Sequence, residues 1–464
     1  MLNVVFWGTG QDSDYYMKYV HSLLAAHIKI TAFVDSNADK KSFYGYSVYL
    51  PTEVCRLHFD KLVIMTRLYQ EEIAEQIARE GLVDKGQVLL HKNFYREVVR
   101  IFLENRTNVC FLGDRGTYKR MFYRAKILFE EHDFKDDVSN LDNRYDAYFL
   151  CPPMLEKRED VIRDYEQNLM SELCNVGISK TDIFSSILWQ RFFFRDIETS
   201  FGDENQNKTI YIVTINAHYA GWGILLWNVL ASIKYAEKQN MIPVVDMKYV
   251  PNLYIDDEDL GKFNAWDRYF CPISSIDIET AYKSKNVIIS SGSPPFEAEE
   301  CDGSQIILRN EIQEEIESFV RSKFPKEKVL GVIYRGTDYN NNVVGHPLPI
   351  KIDDFIQIVK DKLQEIGYRY VFLATEVFEA VEAFQSAFGD YLIYMEQLRF
   401  HANETRWLAD IHSARENDTY LRGKEYLKVL YLLAQCDSLL GQHNAAFIIA
   451  PVLKNGKYEH IFKL

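Results

Sequence analysis

The sequence predicts an α/β protein whose parallel sheets carry helices on both faces. Short apolar segments alternate with helical segments along most of the chain, which is the pattern of strand–helix–strand units. Several apolar segments end in a glycine-rich or polar turn, as at Gly8-Thr9-Gly10. Ligands bind where strands end in open sheets of this kind. We therefore expect two small Rossmann-like modules followed by two larger doubly wound lobes.

Composition and charge limit the class of protein. The chain has 464 residues, is 47% hydrophobic and carries a formal net charge of −14. Such a length needs more than one hydrophobic core, and the acidic balance disfavours nucleic-acid binding because such surfaces are basic. No apolar run reaches the ~20 residues of a membrane-spanning helix. The seven cysteines form no CxxC pair, which favours reduced thiols in a cytoplasmic protein.

The N-terminal part of the chain contains a repeat. "NVVFWGTG" and "NVCFLGDRG" each predict a strand, a glycine turn and a helix, and each is followed by an Asp-led strand, at 59–65 and at 145–151. The second copy is shorter because it lacks most of the segment "GYSVYLPTEV". We predict one Rossmann-like module over 1–105 and a second, shorter one with a linker helix over 106–207.

The first copy also offers a weak ligand-binding pattern. Gly8 and Gly10 stand where a turn can hold a phosphate at a helix N-terminus, and Asp35 follows the second strand, where a ribose-binding acid often lies. The full GxGxxG spacing is missing, so a tight turn beside a strand-end acid explains the pattern equally. This copy resembles the small N-terminal module of many bacterial polysaccharide enzymes, which implies a fold more than an activity.

Two segments separate the repeat from the rest. Residues 186–200 are aromatic and partly basic, and they predict a linker helix that packs between domains or touches a membrane interface. The polar stretch "GDENQNK" at 202–208 predicts the main boundary. The lobes are then expected at 208–310 and 311–464. The first should hold a helix with Leu226, Val229, Leu230 and Ile233 on one face.

The sequence of the second lobe predicts strands that end in polar residues able to bind a ligand. The strand "GVIY" runs directly into Arg335, Gly336, Thr337 and Asp338. A guanidinium at this edge can bind two phosphate oxygens at once, and Gly336 lets the backbone approach a ligand. Asp338 can then orient the arginine or bind a sugar hydroxyl. A buried Arg335–Asp338 pair that only ties down the loop explains the same residues.

Three further segments carry candidate donor-binding residues. The strand "YVFLAT" ends in Thr375 and Glu376, and this carboxylate can accept hydrogen bonds from a guanine or cap the next helix. "GQHNAAF" follows the last predicted strand and opens a helix, so Asn444 is either its N-cap or a ligand donor. The remaining candidates are Gln442 and His443 beside it, and Gly221 and Gly223 in the first lobe.

Residues 209–464 resemble the GDP-fucose fucosyltransferase-like glycosyltransferases, which include α1,6- and protein O-fucosyltransferases. The family pattern is a strand ending in HxRxxD, a strand ending in ATDD, LLAxCDxLIG and a Ser/Thr/Asn loop. Here these stand as "IYRGTD", "LATE", "LLAQCDSLLG" and "QHNAA". The runs "GWGILLWNVLASIKYAEKQNMIPVVD" and "NAWDRYF" resemble the family's first lobe.

The resemblance implies a GT-B core with an acceptor lobe at 208–310 and a donor lobe at 311–464. It also implies a GDP-sugar donor and inverting transfer without a metal. Arg335 would bind the diphosphate, and Glu376 would lie where the family's guanine-contacting strand ends. The chain departs from the pattern at Ile333, Gly336 and His443-Asn444, so the donor sugar can differ.

The catalytic base is not fixed by the pattern. Asp338 and His346 are candidates, and His346 can equally order its loop. The DxD strings at Asp12/Asp14 and Asp257/Asp259 lie in a helical turn and an acidic loop, so we expect no required metal.

The sequence thus predicts a glycosyltransferase that moves fucose from GDP-fucose to an oligosaccharide or lipid-linked glycan in capsule or lipopolysaccharide synthesis. We expect it in the cytoplasm, where it can contact the inner face of the membrane. Transfer of another GDP-sugar is an alternative, as is a scaffold that binds a nucleotide sugar without turnover. Each of these functions is compatible with an oligomer.

Overall fold

The computed structural model describes residues 1–37, 39–66, 69–129, 131–139, 141, 145–153, 159–215, 220–337, 348–404, 406, 408–411 and 413–464. These fall into two compact units, Met1–Arg195 and Asp196–Leu464. The polar stretch at 202–208, predicted as the main boundary, lies after this division, and from Glu204 onward it forms part of a strand. Within the described residues, no helix is both long and apolar enough to cross a membrane.

The first unit consists of strands and helices that alternate over part of its length. A π-helical turn, Tyr16–Val20, joins its first two helices. The elements are β1 (Leu2–Trp7), α1 (Gln11–Tyr15), α2 (His21–Leu24), β2 (Ile28–Val34), β3 (Ser42–Phe43), β4 (Tyr46–Tyr49), β5 (Lys61–Ile64), α3 (Gln70–Glu80), β6 (Val88–Leu90), α4 (His91–Leu103), β7 (Asn108–Gly113), α5 (Arg115–Leu128), β8 (Glu131–Lys135), β9 (Ala147–Cys151), α6 (Glu159–Asn175), β10 (Ile183–Phe184) and α7 (Ser186–Phe193).

The structure reproduces the predicted repeat. The first sheet has the order β3-β4-β2-β1-β5-β6 and the second β10-β9-β7-β8. When β3 and β4 are left out, the orders β2-β1-β5-β6 and β8-β7-β9-β10 correspond strand for strand, and all these neighbours are parallel. The segment "GYSVYLPTEV", which the second copy mostly lacks, covers residues 45–54 and contains β4.

Equivalent residues of the two copies make equivalent contacts. The Asp60 carboxylate accepts a hydrogen bond from the backbone N–H of Asn3 at 2.8 Å, and the Asp146 carboxylate accepts one from Asn108 at 3.0 Å. Each aspartate thus joins the start of its own strand to the central strand of the sheet. The central strands β1 and β7 end just before Gly8 and at Gly113, whose φ angles of 105° and 121° suit glycine.

The segment predicted as one linker helix over 186–200 is divided in the structure. Helix α7 ends at Phe193, and residues 197–199 form a strand that pairs antiparallel with a strand of the second unit. The aromatic helix α7 packs against α4 inside the first unit. Trp189 and Phe193 are buried in the core that both copies share. The prediction of a single helix was wrong because the apolar pattern of 197–199 also suits a strand.

The second unit holds two further sheets. Its elements are β11 (Ile197–Thr199), β12 (Glu204–Val213), α8 (Trp222–Lys238), β13 (Ile242–Val245), α9 (Ile278–Ala281), β14 (Ser284–Ile289), α10 (Asn310–Lys323), β15 (Val329–Tyr334), α11 (Ile352–Ile366), β16 (Tyr370–Thr375), α12 (Phe378–Phe388), β17 (Leu392–Ile393), α13 (Asp418–Gln435), β18 (Ser438–Gly441), α14 (Ala445–Leu453) and β19 (Ile461–Lys463).

Both sheets of the second unit are built around parallel strands. The first has the order β11-β14-β12-β13, with only β11 antiparallel, and the second has the order β17-β16-β15-β18-β19, with all neighbours parallel. The second order is that of a Rossmann sheet, 3-2-1-4-5. The predicted α/β class is confirmed, with two small parallel-sheet modules preceding two larger lobes in the sequence.

One hydrophobic core joins the two lobes of the second unit. Helix α8 of the first lobe contributes Leu226, Val229, Leu230 and Ile233, all buried as predicted. Helices α13 and α14 of the second lobe pack into the same core. Apolar burial of this extent is the main term that holds the lobes together.

Candidate functional site

The candidate site lies at the C-terminal edge of the second lobe's sheet. Strand β15 is paired on one side with β16 and on the other with β18. The strand order reverses between β15 and β18, and ligands of doubly wound sheets bind at such a switch point. The residues that follow these three strands are Arg335, Glu376 and Gln442. The structure therefore brings together three of the predicted site residues.

Glu376 is the centre of the contacts at this edge. Its Oε1 accepts hydrogen bonds from the backbone N–H of Gly336 at 2.9 Å and from the hydroxyl of Thr337 at 3.2 Å. Its Oε2 lies 3.6 Å from Nη1 of Arg335. The alternative of an exposed cap for the next helix is wrong, because the N-cap of α12 is Val377 and no side chain caps it.

Arg335 is held close to the sheet edge but stays reachable. Its side chain is 30% exposed, whereas that of Glu376 is only 14% exposed. A guanidinium is a planar group with five N–H donors, a geometry that suits two phosphate oxygens. Asp338, its other predicted partner, and His346 both lie outside the described residues.

The backbone at Thr337 has an unusual conformation that no sequence pattern predicted. This residue is fully buried and has a φ of 49°, a left-handed conformation that is uncommon for β-branched residues. Such strain is often found at functional sites. Gly336 is needed here for packing, since an added Cβ would lie 2.7 Å from Cγ2 of Val377. The backbone at 336–337 is thus held close to Val377 and Glu376.

Thr375 supports the turn rather than pointing at a ligand. Its hydroxyl accepts a hydrogen bond from the backbone N–H of Val377 at 3.1 Å, and its carbonyl accepts one from Gln397 at 2.9 Å. The side chain is 5% exposed. Thr375 therefore fixes the direction in which Glu376 leaves the strand.

Gln442 and Asn444 are also occupied by local hydrogen bonds. The Gln442 amide donates to the carbonyl of Leu348 at 2.8 Å and accepts from the N–H of Ile350 at 3.3 Å. It thereby anchors the chain just after the segment 338–347. Asn444 caps α14, accepting from the N–H of Phe447 at 3.0 Å. Of its two predicted roles, the structure shows the cap.

Gly221 and Gly223 lie where the two lobes pack together. A Cβ on Gly221 would come within 2.9 Å of the Tyr426 ring, and one on Gly223 would come within 2.9 Å of the backbone of Ala445. These glycines allow α8 to approach α13 and α14. The sequence suggested a ligand-lining loop because close packing and close ligand approach both require glycine.

The edge of the first lobe's sheet holds a buried carboxyl group that the sequence did not single out. Asp246 follows β13 and is fully buried. It accepts hydrogen bonds from the N–H groups of Lys248 at 2.8 Å and Tyr249 at 3.0 Å, and from the Tyr282 hydroxyl at 2.6 Å. Burial raises the pKa of Asp246 to about 6, against the hydrogen bonds that lower it.

Asp246 should make the stability of the protein depend on pH. Because its pKa is raised in the folded state, its stabilising contribution is complete below about pH 4 and is lost as the pH rises through about 6. The Asp246→Asn variant does not undergo this loss. Its free energy of unfolding should therefore rise relative to that of the wild type between these pH values, by at most about 3 kcal/mol. Urea unfolding at a series of pH values measures the difference.

Asp277→Asn is the matched control for this prediction. A backbone hydrogen bond from Thr280 lowers the pKa of exposed Asp277, so this variant should lose stability relative to the wild type as the pH rises. An Asp246→Asn curve that runs parallel to the wild type from pH 4 to pH 7 would contradict the assignment.

The N-terminal glycine turn is closed by its own aspartate. Asp35 accepts hydrogen bonds from the backbone N–H of Thr9 at 2.9 Å, from the Thr9 hydroxyl, and from the N–H of Asn37 at 2.9 Å. These contacts correspond to the alternative of a tight turn beside a strand-end acid. In the DxD string Asp12/Asp14, Asp14 is bound to Lys18 at 2.6 Å. Across the described residues, no group of three or more His, Cys, Asp or Glu side chains could hold a metal ion.

Comparison with known proteins finds a family-model match in the N-terminal part of the chain. Residues 1–89 match the model described as C2185-like, N-terminal. No curated protein matches the chain. The solved structures include NodZ α1,6-fucosyltransferase soaked with GDP-fucose, at 16% identity and a TM-score of 0.38 over 53% of this chain and 93% of its own.

Two other solved structures show similarly low likeness. NodZ from Bradyrhizobium has 16% identity and a TM-score of 0.37 over 53% of this chain and 93% of its own. POFUT1 in complex with GDP-fucose has 9% identity and a TM-score of 0.26 over 100% of this chain and 97% of its own. Values this low determine neither the fold nor the activity of the present chain.

Proposed function

We propose that residues 196–464 transfer a sugar from a GDP-sugar to a glycan acceptor with inversion at the anomeric carbon, and that the sugar is fucose. The observation that carries the proposal is the partly exposed Arg335, fixed against Glu376 at the switch point of a Rossmann sheet. The motif resemblance over 209–464 supports the choice of a GDP-sugar.

Arg335 supplies the electrostatic part of the mechanism. Negative charge grows on the diphosphate as the sugar–phosphate bond breaks, and a positioned guanidinium stabilises that charge. The ion pair with Glu376 restricts the rotamers of Arg335 before the donor binds, so less entropy is lost on binding. A preorganised cation of this kind needs no metal to neutralise the leaving group.

The contacts of Glu376 argue against its direct role in guanine binding. Oε1 of Glu376 already accepts hydrogen bonds from Gly336 and Thr337, and Oε2 faces Nη1 of Arg335 at 3.6 Å, an ion-pair distance that is longer than a hydrogen bond. A guanine that bound to both oxygens would compete with these contacts, and one that bound to Oε2 alone would have to share it with Arg335. We therefore assign Glu376 to the positioning of Arg335, and base recognition falls to other groups.

A thermal-shift panel in excess EDTA tests the proposed function. GDP and GDP-fucose should raise the melting temperature, since a ligand at 100 times its Kd adds about 2.7 kcal/mol to the free energy of unfolding. UDP, CMP and NAD serve as matched controls and should give little shift. No shift with GDP, or a shift that appears only when Mn²⁺ replaces EDTA, would contradict the proposal or its metal independence, respectively.

A further inference from the structure

His443 stands level with Arg335 at the switch point. Gly441 pairs with Ile333 in the register of β18 and β15, and His443 and Arg335 each follow two residues later. Neighbouring strands lie about 4.8 Å apart, so the two backbone positions are close. His443 is half-buried. It directly precedes Asn444, the residue that caps α14, so its own position is well fixed.

A groove beside His443 gives it access to a second substrate. The cavity has a volume of about 740 Å³, within the range of small-molecule sites, roughly 300–1,000 Å³. Its floor is the face of α14 with Phe447 and Pro451, and its wall includes Asp302 and Ser304 of the first lobe. His443 lines this cavity and also belongs to the sheet edge that carries Arg335.

The Asp302 carboxylate of the groove is less suited than His443 to take a proton. The Asp302 carboxylate accepts hydrogen bonds from the N–H of Ser304 at 2.9 Å and from its hydroxyl at 2.7 Å, and hydrogen bonding with Ser304 lowers its pKa. Within the described part of the chain, no residue forms a hydrogen bond with the ring of His443. Histidine is the side chain most often used as a general base near neutral pH.

We propose that His443 is the general base of the transfer, an inference that rests on the proposed function. One ring nitrogen takes the proton of an acceptor hydroxyl that enters along the groove. The oxygen forms a bond to the anomeric carbon while the bond from that carbon to the diphosphate oxygen breaks. The electron pair of the broken bond leaves on GDP, and the proton stays on the imidazolium until solvent removes it.

Hydrolysis of GDP-fucose tests this role without a known acceptor, because water can take the place of the acceptor hydroxyl. The His443→Ala variant should release GDP roughly 100-fold more slowly than the wild type, the usual contribution of a general base. Added imidazole should restore part of the rate. Binding of GDP, measured by calorimetry, should change much less than the rate, which separates the role of a base from that of a donor-binding residue.

His460→Ala is the matched control. His460 precedes β19 and thus lies at the opposite edge of the same sheet, so its loss should leave GDP release unchanged. If His443→Ala releases GDP as fast as the wild type, or imidazole fails to restore the rate of a folded variant, the role of His443 is refuted and the proposed function stands. A wild type that binds GDP but releases none from GDP-fucose also refutes the role of His443. A wild type that does not bind GDP refutes both.

Discussion

Replacing Arg335 by lysine is expected to slow sugar transfer or donor hydrolysis roughly ten- to a hundred-fold, because one charge-assisted hydrogen bond of about 1.5–3 kcal/mol is lost. Lysine keeps the charge but cannot bind two phosphate oxygens with one planar group. The rate should fall more than GDP affinity does, since charge on the diphosphate grows in the transition state. Steady-state kinetics and calorimetry with GDP measure the two effects.

The same variant decides whether Arg335 is only structural. Arg335 touches Glu376, so a purely structural arginine would lower the melting temperature of Arg335→Lys and leave kcat normal at low temperature. Arg369→Lys is the control, because Arg369 is exposed and precedes β16 at the opposite edge of the sheet. Arg335→Ala should be slower still and should leave Glu376 without its cation.

Gly223→Ala should destabilise the second unit by about 1–3 kcal/mol, the usual cost of overpacking. Alanine is normally the better helix former, so the sign of the effect identifies the cause. An added Cβ would lie 2.7 Å from Cβ of Ala445 and 2.9 Å from its carbonyl carbon and oxygen. Relief of this clash requires α8 to move away from α14. Denaturant unfolding gives the change in free energy.

The Gly86→Ala variant provides the comparison for this prediction. No heavy atom lies within 4 Å of an added Cβ there, so this change should be neutral or stabilise by up to about 1 kcal/mol. If Gly223→Ala keeps wild-type stability but loses GDP binding, Gly223 contacts the donor and its packing role is wrong.

Much of the fold follows from local pattern. The strand "YVFLAT" is β16 as predicted, and the segment "GQHNAAF" opens α14 with Asn444 as its cap. Both depend on residues within a few positions of one another, where alternation and capping chemistry act. The repeat was visible because equivalent strands keep the same apolar pattern.

The features of the candidate site also fall into those that local sequence predicts and those that depend on tertiary contacts. The sequence by itself placed Arg335, Glu376 and Gln442 at strand ends, because a strand that stops at a polar residue can be recognised locally. Only the tertiary structure decided that Glu376 faces Arg335, since this depends on β16 lying next to β15. It also decided that Gly221 and Gly223 serve helix packing, since their neighbours Tyr426 and Ala445 lie more than 200 residues further along the chain. Contacts between distant segments arise from the order of strands and the packing of helices, and no local pattern encodes them.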